Sequence, residues 1–173
     1  MTLTDHIRTL PDFPRPGIRF RDVTTLMLHP EAFGDAVAGL AAHVGDATLV
    51  AGIEARGFVF GASVAARLGL GFLPLRKPGK LPGETVSRAY TLEYGEDALH
   101  APAGLVAPGT RVLLVDDLIA TGGTCEAGIE LVRRSGGELV GCGFVIELPE
   151  LGGRAKVEAL EVPVHALVAY AGH

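Results

Sequence analysis

The sequence predicts an α/β fold, an open and mainly parallel sheet flanked by helices. Short apolar segments near residues 48–53, 71–75, 110–115, 139–148 and 164–170 alternate with helical patterns. Strands that alternate with helices pair in parallel through right-handed crossovers. The segment 110–115 is apolar on both faces, as expected of a central strand covered on both sides. A chain of 173 residues with 48% hydrophobic content suits one domain, residues 1–173, around a substantial core.

A short first helix opens the chain, and Pro11, Pro14, Pro16 and Gly17 then impose an irregular arm that ends in Ile18-Arg19-Phe20-Arg21-Asp22. His29-Pro30-Glu31 resembles a helix start with Pro at its first position. Phe33, Val37, Leu40, Ala41 and Val44 follow at helical spacing until Gly45 stops the run. Residues 48–53 read as a strand, 58–68 as an Ala-rich helix closed by Gly69, and 71–75 as a strand again. The alternation breaks at 88–94 and 98–101, which read as two antiparallel strands around Gly95, projecting from the sheet as a flexible flap. After the strand at 110–115, a helix from about 123 to 135 ends at Gly136 and Gly137. The last two strands are 139–148 and 164–170.

Composition narrows the function. A net charge of −5 argues against bulk nucleic-acid binding, which draws its affinity from a basic face. Arg76, Lys77, Lys80 and Arg88 nevertheless crowd one Pro/Gly-rich stretch, enough for a local polyanion site. No apolar stretch is long enough to span a bilayer, and the N-terminus lacks the hydrophobic core of a secretory signal, so a cytoplasmic location is expected. Cys125 and Cys142 lack the close spacing of zinc ligands and read as buried thiols, and the histidines show no metal-binding arrangement.

The strongest chemical signal runs from Val112 to Thr124, Val-Leu-Leu-Val-Asp-Asp-Leu-Ile-Ala-Thr-Gly-Gly-Thr. It joins a buried strand, two carboxylates at its C-terminal end, a small-residue loop and a helix start. In open α/β sheets ligands bind beyond the carboxyl ends of the strands. The loop N–H groups and the helix N-terminus make an anion cradle, to which the Thr121 and Thr124 hydroxyls add donors. No Gly-Lys-Ser/Thr follows, which excludes a Walker A loop. Adjacent carboxylates repel each other, a cost that points to sugar hydroxyls, a metal or a basic side chain nearby.

This run resembles the phosphoribosyl pyrophosphate (PRPP) signature of type I phosphoribosyltransferases. Three further segments resemble the adenine-specific branch of that family: Phe13 to Gly17 with Phe20-Arg21-Asp22, Gly52 to Phe58, and Arg76 to Gly83 with Leu92 to Gly95. The likeness extends in order from about Asp12 to Tyr170. It implies transfer of the 5-phosphoribosyl group of PRPP to adenine, giving AMP and pyrophosphate in purine salvage, with Mg²⁺ held mainly by substrate phosphates, ribose hydroxyls and water, and with a homodimer as the assembly. It also implies an N-terminal hood at about 1–25 and a flap at about 77–101.

The resemblance implies residue roles as well. Ala120, Thr121, Gly122, Gly123 and Thr124 would hold the 5′-phosphate. Asp116 and Asp117 would bind the ribose hydroxyls and lie near the developing positive charge, with Asp117 the catalytic member. Ala55 and Arg56, joined by Arg76, Lys77 and Lys80, would grip pyrophosphate. Arg19, Phe20 and Arg21 would cover adenine, mainly with main-chain groups and the Phe20 ring, and Glu93 would handle the purine imidazole proton. Glu54, Ala55 and Arg19 depart from the usual pattern, where Asp, a hydroxyl residue and an aliphatic residue are common. Competing expectations are a surface ion pair of Arg56 with Glu54 or Asp116, a solvated Glu93, Phe20 as plain core and a solvated basic hairpin. At the level of function the competitors are a type I enzyme for another base and a PRPP-sensing regulator, the latter disfavoured by the acidic balance and the absence of a DNA-binding extension.

Overall fold

The computed structural model describes residues 2–92 and 95–172. A 3-10 turn at Leu3–His6 leads into an antiparallel hairpin of β1 (Arg8–Pro11) and β2 (Arg19–Asp22). Helices α1 (Thr24–Met27) and α2 (Pro30–Ala41) precede β3 (Leu49–Ile53), α3 (Arg56–Leu68) and β4 (Gly71–Leu75). A second antiparallel hairpin, β5 (Thr85–Leu92) with β6 (Gly95–Pro102), leads to β7 (Thr110–Ile119) and α4 (Gly123–Arg134). The chain ends with β8 (Gly137–Glu147), a 3-10 turn at Pro149–Leu151, α5 (Gly153–Glu158) and β9 (Val164–Ala169). The central sheet is parallel throughout, in the order β4-β3-β7-β8-β9.

Side-chain alternation along β7 builds a core on each face of this sheet. Val112 and Leu114 enter one apolar cluster with Ile53, Leu75, Ile129 and Leu131. Leu113 and Val115 enter the other, with Leu40, Phe60 and Val64. The helices obey the same geometry at their own period, so α3 buries Gly57, Phe60, Gly61, Val64 and Ala65. Because β7 is covered on both sides, its end is held rigidly, and whatever chemistry it carries is held with it.

Several expectations are corrected. The first helix is only a 3-10 turn, and the arm is a ladder in which Arg8 pairs Asp22 and Leu10 pairs Phe20. Of the prolines that suggested irregularity, Pro14 and Pro16 lie in its loop and Pro11 ends β1 opposite Arg19. Strand β7 continues four residues past Val115, with Asp116 opposite Phe144 and Leu118 opposite Ile146, because β8 is long enough to pair it. The acidic pair is therefore inside the paired strand. The β5–β6 hairpin does not stand free over its length: Tyr90, Leu99 and Ala101 are buried, and His100 exchanges main-chain hydrogen bonds of 2.8 and 2.7 Å with Arg76. Helices α1 and α5, too short to show a period, escaped the sequence pattern.

Asp22 fastens the β1–β2 hairpin. One carboxylate oxygen accepts from the Thr24 N–H at 2.9 Å and the other lies 2.5 Å from Arg8 Nη2. The Thr24 interaction first, and the Arg8 guanidinium second, hold its pKa at about 2 against an ordinary 3.8. A depressed carboxylate stabilises the fold above its unfolded pKa, and that stability is lost as pH falls through the folded value. Asp22→Asn is therefore expected to lower unfolding stability by roughly 1–2 kcal/mol at pH 7, and the gap should close between pH ~4 and ~2. Urea titrations across that range test it; a gap independent of pH would leave Asp22 no electrostatic role.

Candidate active site

Two helices begin at the carboxyl ends of neighbouring central strands, and neither N-terminus is capped by a side chain. Helix α3 starts at Arg56 after Ala55, and α4 starts at Gly123 after Gly122, whose φ of 82° places it in the left-handed region. Uncapped first-turn N–H groups attract anions. Around the α4 start lies a cradle of about 160 Å³ lined by Asp116, Leu118, Ile119 and residues 120–125. A cleft of about 430 Å³ shares Asp116, Leu118 and Thr124 with it and adds Glu54, Ala55, Arg56, Lys77, Tyr90, Asp97 and Asp117.

Close packing keeps these parts in place. A Cβ on Gly57 would come 2.6 Å from Asp116 Oδ1 and 3.0 Å from the Val115 carbonyl oxygen, so only glycine lets α3 lie against the acidic strand. Gly153, at the start of α5, donates its N–H to the Ala120 carbonyl at 3.0 Å and has no room for a side chain against Ala120 and Gly122. Helix α5 thus buttresses the cradle from behind. The Glu54–Ala55 peptide, at the mouth of α3, is cis.

Glu54, Asp97 and Asp117 each face a cationic side chain. Arg56 Nε lies 2.7 Å from Asp117 Oδ2, the partner that the Glu54-or-Asp116 alternative had not named. The Nε–H is not aligned on that oxygen, so buried Oδ2 has a charged neighbour but no hydrogen-bond donor among the described residues. Glu54 receives Arg76 at 3.1 and 3.3 Å and the Lys77 N–H at 2.8 Å. The Arg76 bond first, and the Lys77 N–H next, hold Glu54 below the usual carboxylate range. Lys77 Nζ donates to Asp97 and, at 2.5 Å, to the Tyr90 hydroxyl. Asp116 keeps an edge on the cleft but is packed deeply; desolvation first, and the charge of Asp117 second, push its carboxyl well above the ordinary range. A proton therefore stays on Asp116 to higher pH than on a free carboxyl.

The β1–β2 hairpin reaches the cleft through Phe20, whose ring centroid lies 5.1 Å from the Arg56 guanidinium carbon and 5.2 Å from that of Phe13. Phe20 is half-buried, and Arg19 is exposed. Arg21 is turned to other work: its guanidinium donates to Thr9 Oγ1 at 2.6 Å, approaches the Ala171 carbonyl at 3.4 Å and lies 4.2 Å from the Tyr170 ring centroid. Lys80 is exposed, and its carbonyl accepts from Arg76 at 2.9 Å. Glu93 lies outside the described residues. Among those described, no group of three or more His, Cys, Asp or Glu could hold a metal ion alone. Cys125 and Cys142 are buried with their sulfurs 3.6 Å apart; the Cys142 contact first and burial second raise the Cys125 thiol pKa.

Sequence reasoning missed Tyr90, Asp97, Gly57 and Gly153. Tyr90 and Asp97 face each other across the hairpin register, whereas pairing centred on Gly95 would set Tyr90 opposite His100. Nothing local marks the glycines, whose constraint comes from distant backbone.

Residues 24–164 match the family model of the phosphoribosyl transferase domain, so the class that fold and cleft define is that of the phosphoribosyltransferases. The adenine phosphoribosyltransferase of Parvibaculum lavamentivorans is 55% identical over the whole of both chains. The crystal structure of adenine phosphoribosyltransferase from Rhodothermus marinus matches with a TM-score of 0.90 at 49% identity, over 97% of this chain and 96% of that one. The Saccharomyces cerevisiae enzyme, crystallised with an imino-altritol bisphosphate and adenine, matches with a TM-score of 0.90 at 37% identity over 96% of each chain. The chain belongs to the adenine phosphoribosyltransferase family.

Proposed function

We infer that this chain transfers the 5-phosphoribosyl group of PRPP to adenine, releasing AMP and pyrophosphate as an enzyme of purine salvage. The observation that carries this is a single cleft in which an acidic pair faces Arg56 and Lys77 and which opens into a phosphate-sized cradle. The adenine in the yeast relative supports the choice of base.

Breaking the anomeric bond leaves positive charge on the ribose and negative charge on the departing pyrophosphate, so groups fixed beforehand near each charge lower the barrier. The cradle at 120–124 holds the 5′-phosphate on the α4 N-terminus. Asp117 Oδ2, buried with no aligned donor, is an acceptor suited to a ribose hydroxyl, and its charge lies near the developing cation. Asp116 Oδ1 accepts the Asp117 N–H at 2.9 Å and orients the pair. Arg56, Arg76, Lys77 and Lys80, with the Ala55 main chain, draw off pyrophosphate. Adenine N9 attacks the anomeric carbon under a hood formed by β1–β2, with Glu93 receiving the proton from the imidazole edge. The β5–β6 hairpin serves as the flap that excludes water.

Mg²⁺ fits this donor set. Asp116, Asp117 and Glu54 line the cleft with oxygen, too few for a closed cage and appropriate to an ion that keeps waters and substrate oxygens. When bound, it supplies positive charge to the pyrophosphate. A cytoplasmic homodimer completes the proposal, and exposed Leu28, Val59, Leu68 and Leu105 offer apolar surface for a second copy.

The test is base consumption with PRPP and Mg²⁺ across adenine, hypoxanthine, guanine, xanthine and orotate, with AMP and pyrophosphate quantified. Adenine alone should turn over efficiently. Preference for another base would reassign the substrate, and PRPP binding without turnover of any base would favour a PRPP sensor.

A further inference from the structure

Lys77 is held by two residues that have no place in the reaction described so far. Its ammonium donates to the carboxylate of Asp97 on β6 and, at 2.5 Å, to the hydroxyl of Tyr90 on β5. Tyr90 and Asp97 are cross-strand partners, and the Tyr90 hydroxyl itself donates to Asp97 Oδ2 at 3.1 Å. The other Asp97 oxygen accepts the Ala98 N–H at 2.7 Å, which fixes the carboxylate plane. Burial alone would depress the Lys77 pKa, but the bonds to Asp97 and Tyr90 outweigh it and raise it above the lysine range. Asp97 is held below the carboxylate range, first by Lys77. All three side chains line the cleft that holds Asp116, Asp117 and Arg56.

We propose that Asp97, oriented by Tyr90, is an internal counter-ion that pairs with Lys77 and competes with pyrophosphate for it. Asp97 is thus a positioning residue acting through Lys77, and it tunes how tightly the leaving group is retained. The proposal rests on the phosphoribosyl-transfer reading, in which Lys77 meets pyrophosphate. A polyanion entering the cleft must take the ammonium from a carboxylate that is already well placed, and part of its binding free energy is spent on that exchange. The ion pair is one-quarter to one-third exposed at its side chains, so the effect is modest. Its consequence is faster release of a product that a cluster of free cations would otherwise hold. Asp97, on β6, and Lys77, just beyond β4, also join hairpin to body, so the exchange loosens that join as the ligand arrives.

The experiment is calorimetric titration of pyrophosphate with Mg²⁺ into the full-length wild type, Asp97→Asn, Lys77→Ala and the double variant, alongside product inhibition by pyrophosphate. Asp97→Asn should tighten pyrophosphate by about 3- to 20-fold, Tyr90→Phe by less, and Lys77→Ala should weaken it. In the Lys77→Ala background the Asn substitution should give no gain. A merely structural Asp97 would give weaker or unchanged binding, which overturns the proposal. A gain that persists without Lys77 also overturns it, since Asp97 would then act by general repulsion. A wild type that binds no pyrophosphate and forms no AMP would instead defeat the phosphoribosyl-transfer reading, a separate outcome. Thermal melts establish that each variant is folded.

Discussion

Asp117→Asn is expected to lower kcat by about 10- to 1,000-fold while leaving the melting temperature within a few degrees of wild type. Asparagine keeps the shape of the side chain and removes its charge. That charge meets Arg56 at 2.7 Å without an aligned hydrogen bond, and Arg56 is partly exposed, so little folding stability depends on the pair. Removing it also relieves Asp116, whose carboxyl is pushed up by desolvation and then by the Asp117 charge. The Asp116 carboxyl should accordingly titrate at lower pH in the variant, readable by carbon-detected NMR. On the proposed reading the balance reverses in the transition state, because the ribose would carry positive charge beside this carboxylate in a water-poor cleft. Unchanged turnover would reduce the acidic pair to a structural feature of β7.

The second large effect is base discrimination. Adenine offers a donor at its 6-amino group and an acceptor at N1; hypoxanthine offers an acceptor at O6 and a donor at N1–H. Strand β2 has β1 as its strand partner along one edge, and on the proposed reading the main-chain N–H and C=O groups of its other edge would meet the base. The side chains nearby are poor readers: Arg21 is committed to Thr9, Ala171 and Tyr170, and Arg19 is exposed. Main-chain polarity cannot be inverted, so hypoxanthine faces two mismatches, each costing roughly 1–3 kcal/mol. Its kcat/KM should fall below that of adenine by about 10² to 10⁴. Arg19→Ala should change KM modestly and preserve the ratio. Comparable wild-type values for the two bases would sink the adenine assignment, and loss of selectivity in the variant alone would transfer the reading to the Arg19 side chain.

The parallel sheet, its helices and the cradle were legible in the chain because each rests on short-range pattern. Strand β4 falls at the residues the apolar run indicates, and α3 and α4 differ from expectation by no more than two residues at either end. The acidic pair and the Thr-Gly-Gly-Thr loop are only three residues apart in sequence, so their closeness needed no tertiary information, although the pairing of the acidic residues inside β7 did. The β1–β2 ladder was not legible, since the prolines that break helix and strand locally say nothing of a partner strand ten residues away.

By itself, the sequence determined the order of the strands of the central sheet and of the helices α2, α3 and α4, the place of the glycine-rich cradle and the residue types available to a polyanion. Only the tertiary structure decided which charges face one another: Arg56 with Asp117, Arg76 with Glu54, Lys77 with Asp97, and Phe20 against Arg56. These partners lie twenty or more residues apart. They meet because parallel crossovers bring the ends of β3, β4 and β7 to one edge of the sheet, where the two hairpins also arrive. A Coulomb interaction depends on distance in space, and at that separation along the chain the distance is set by the packing of the whole core on both faces of β7.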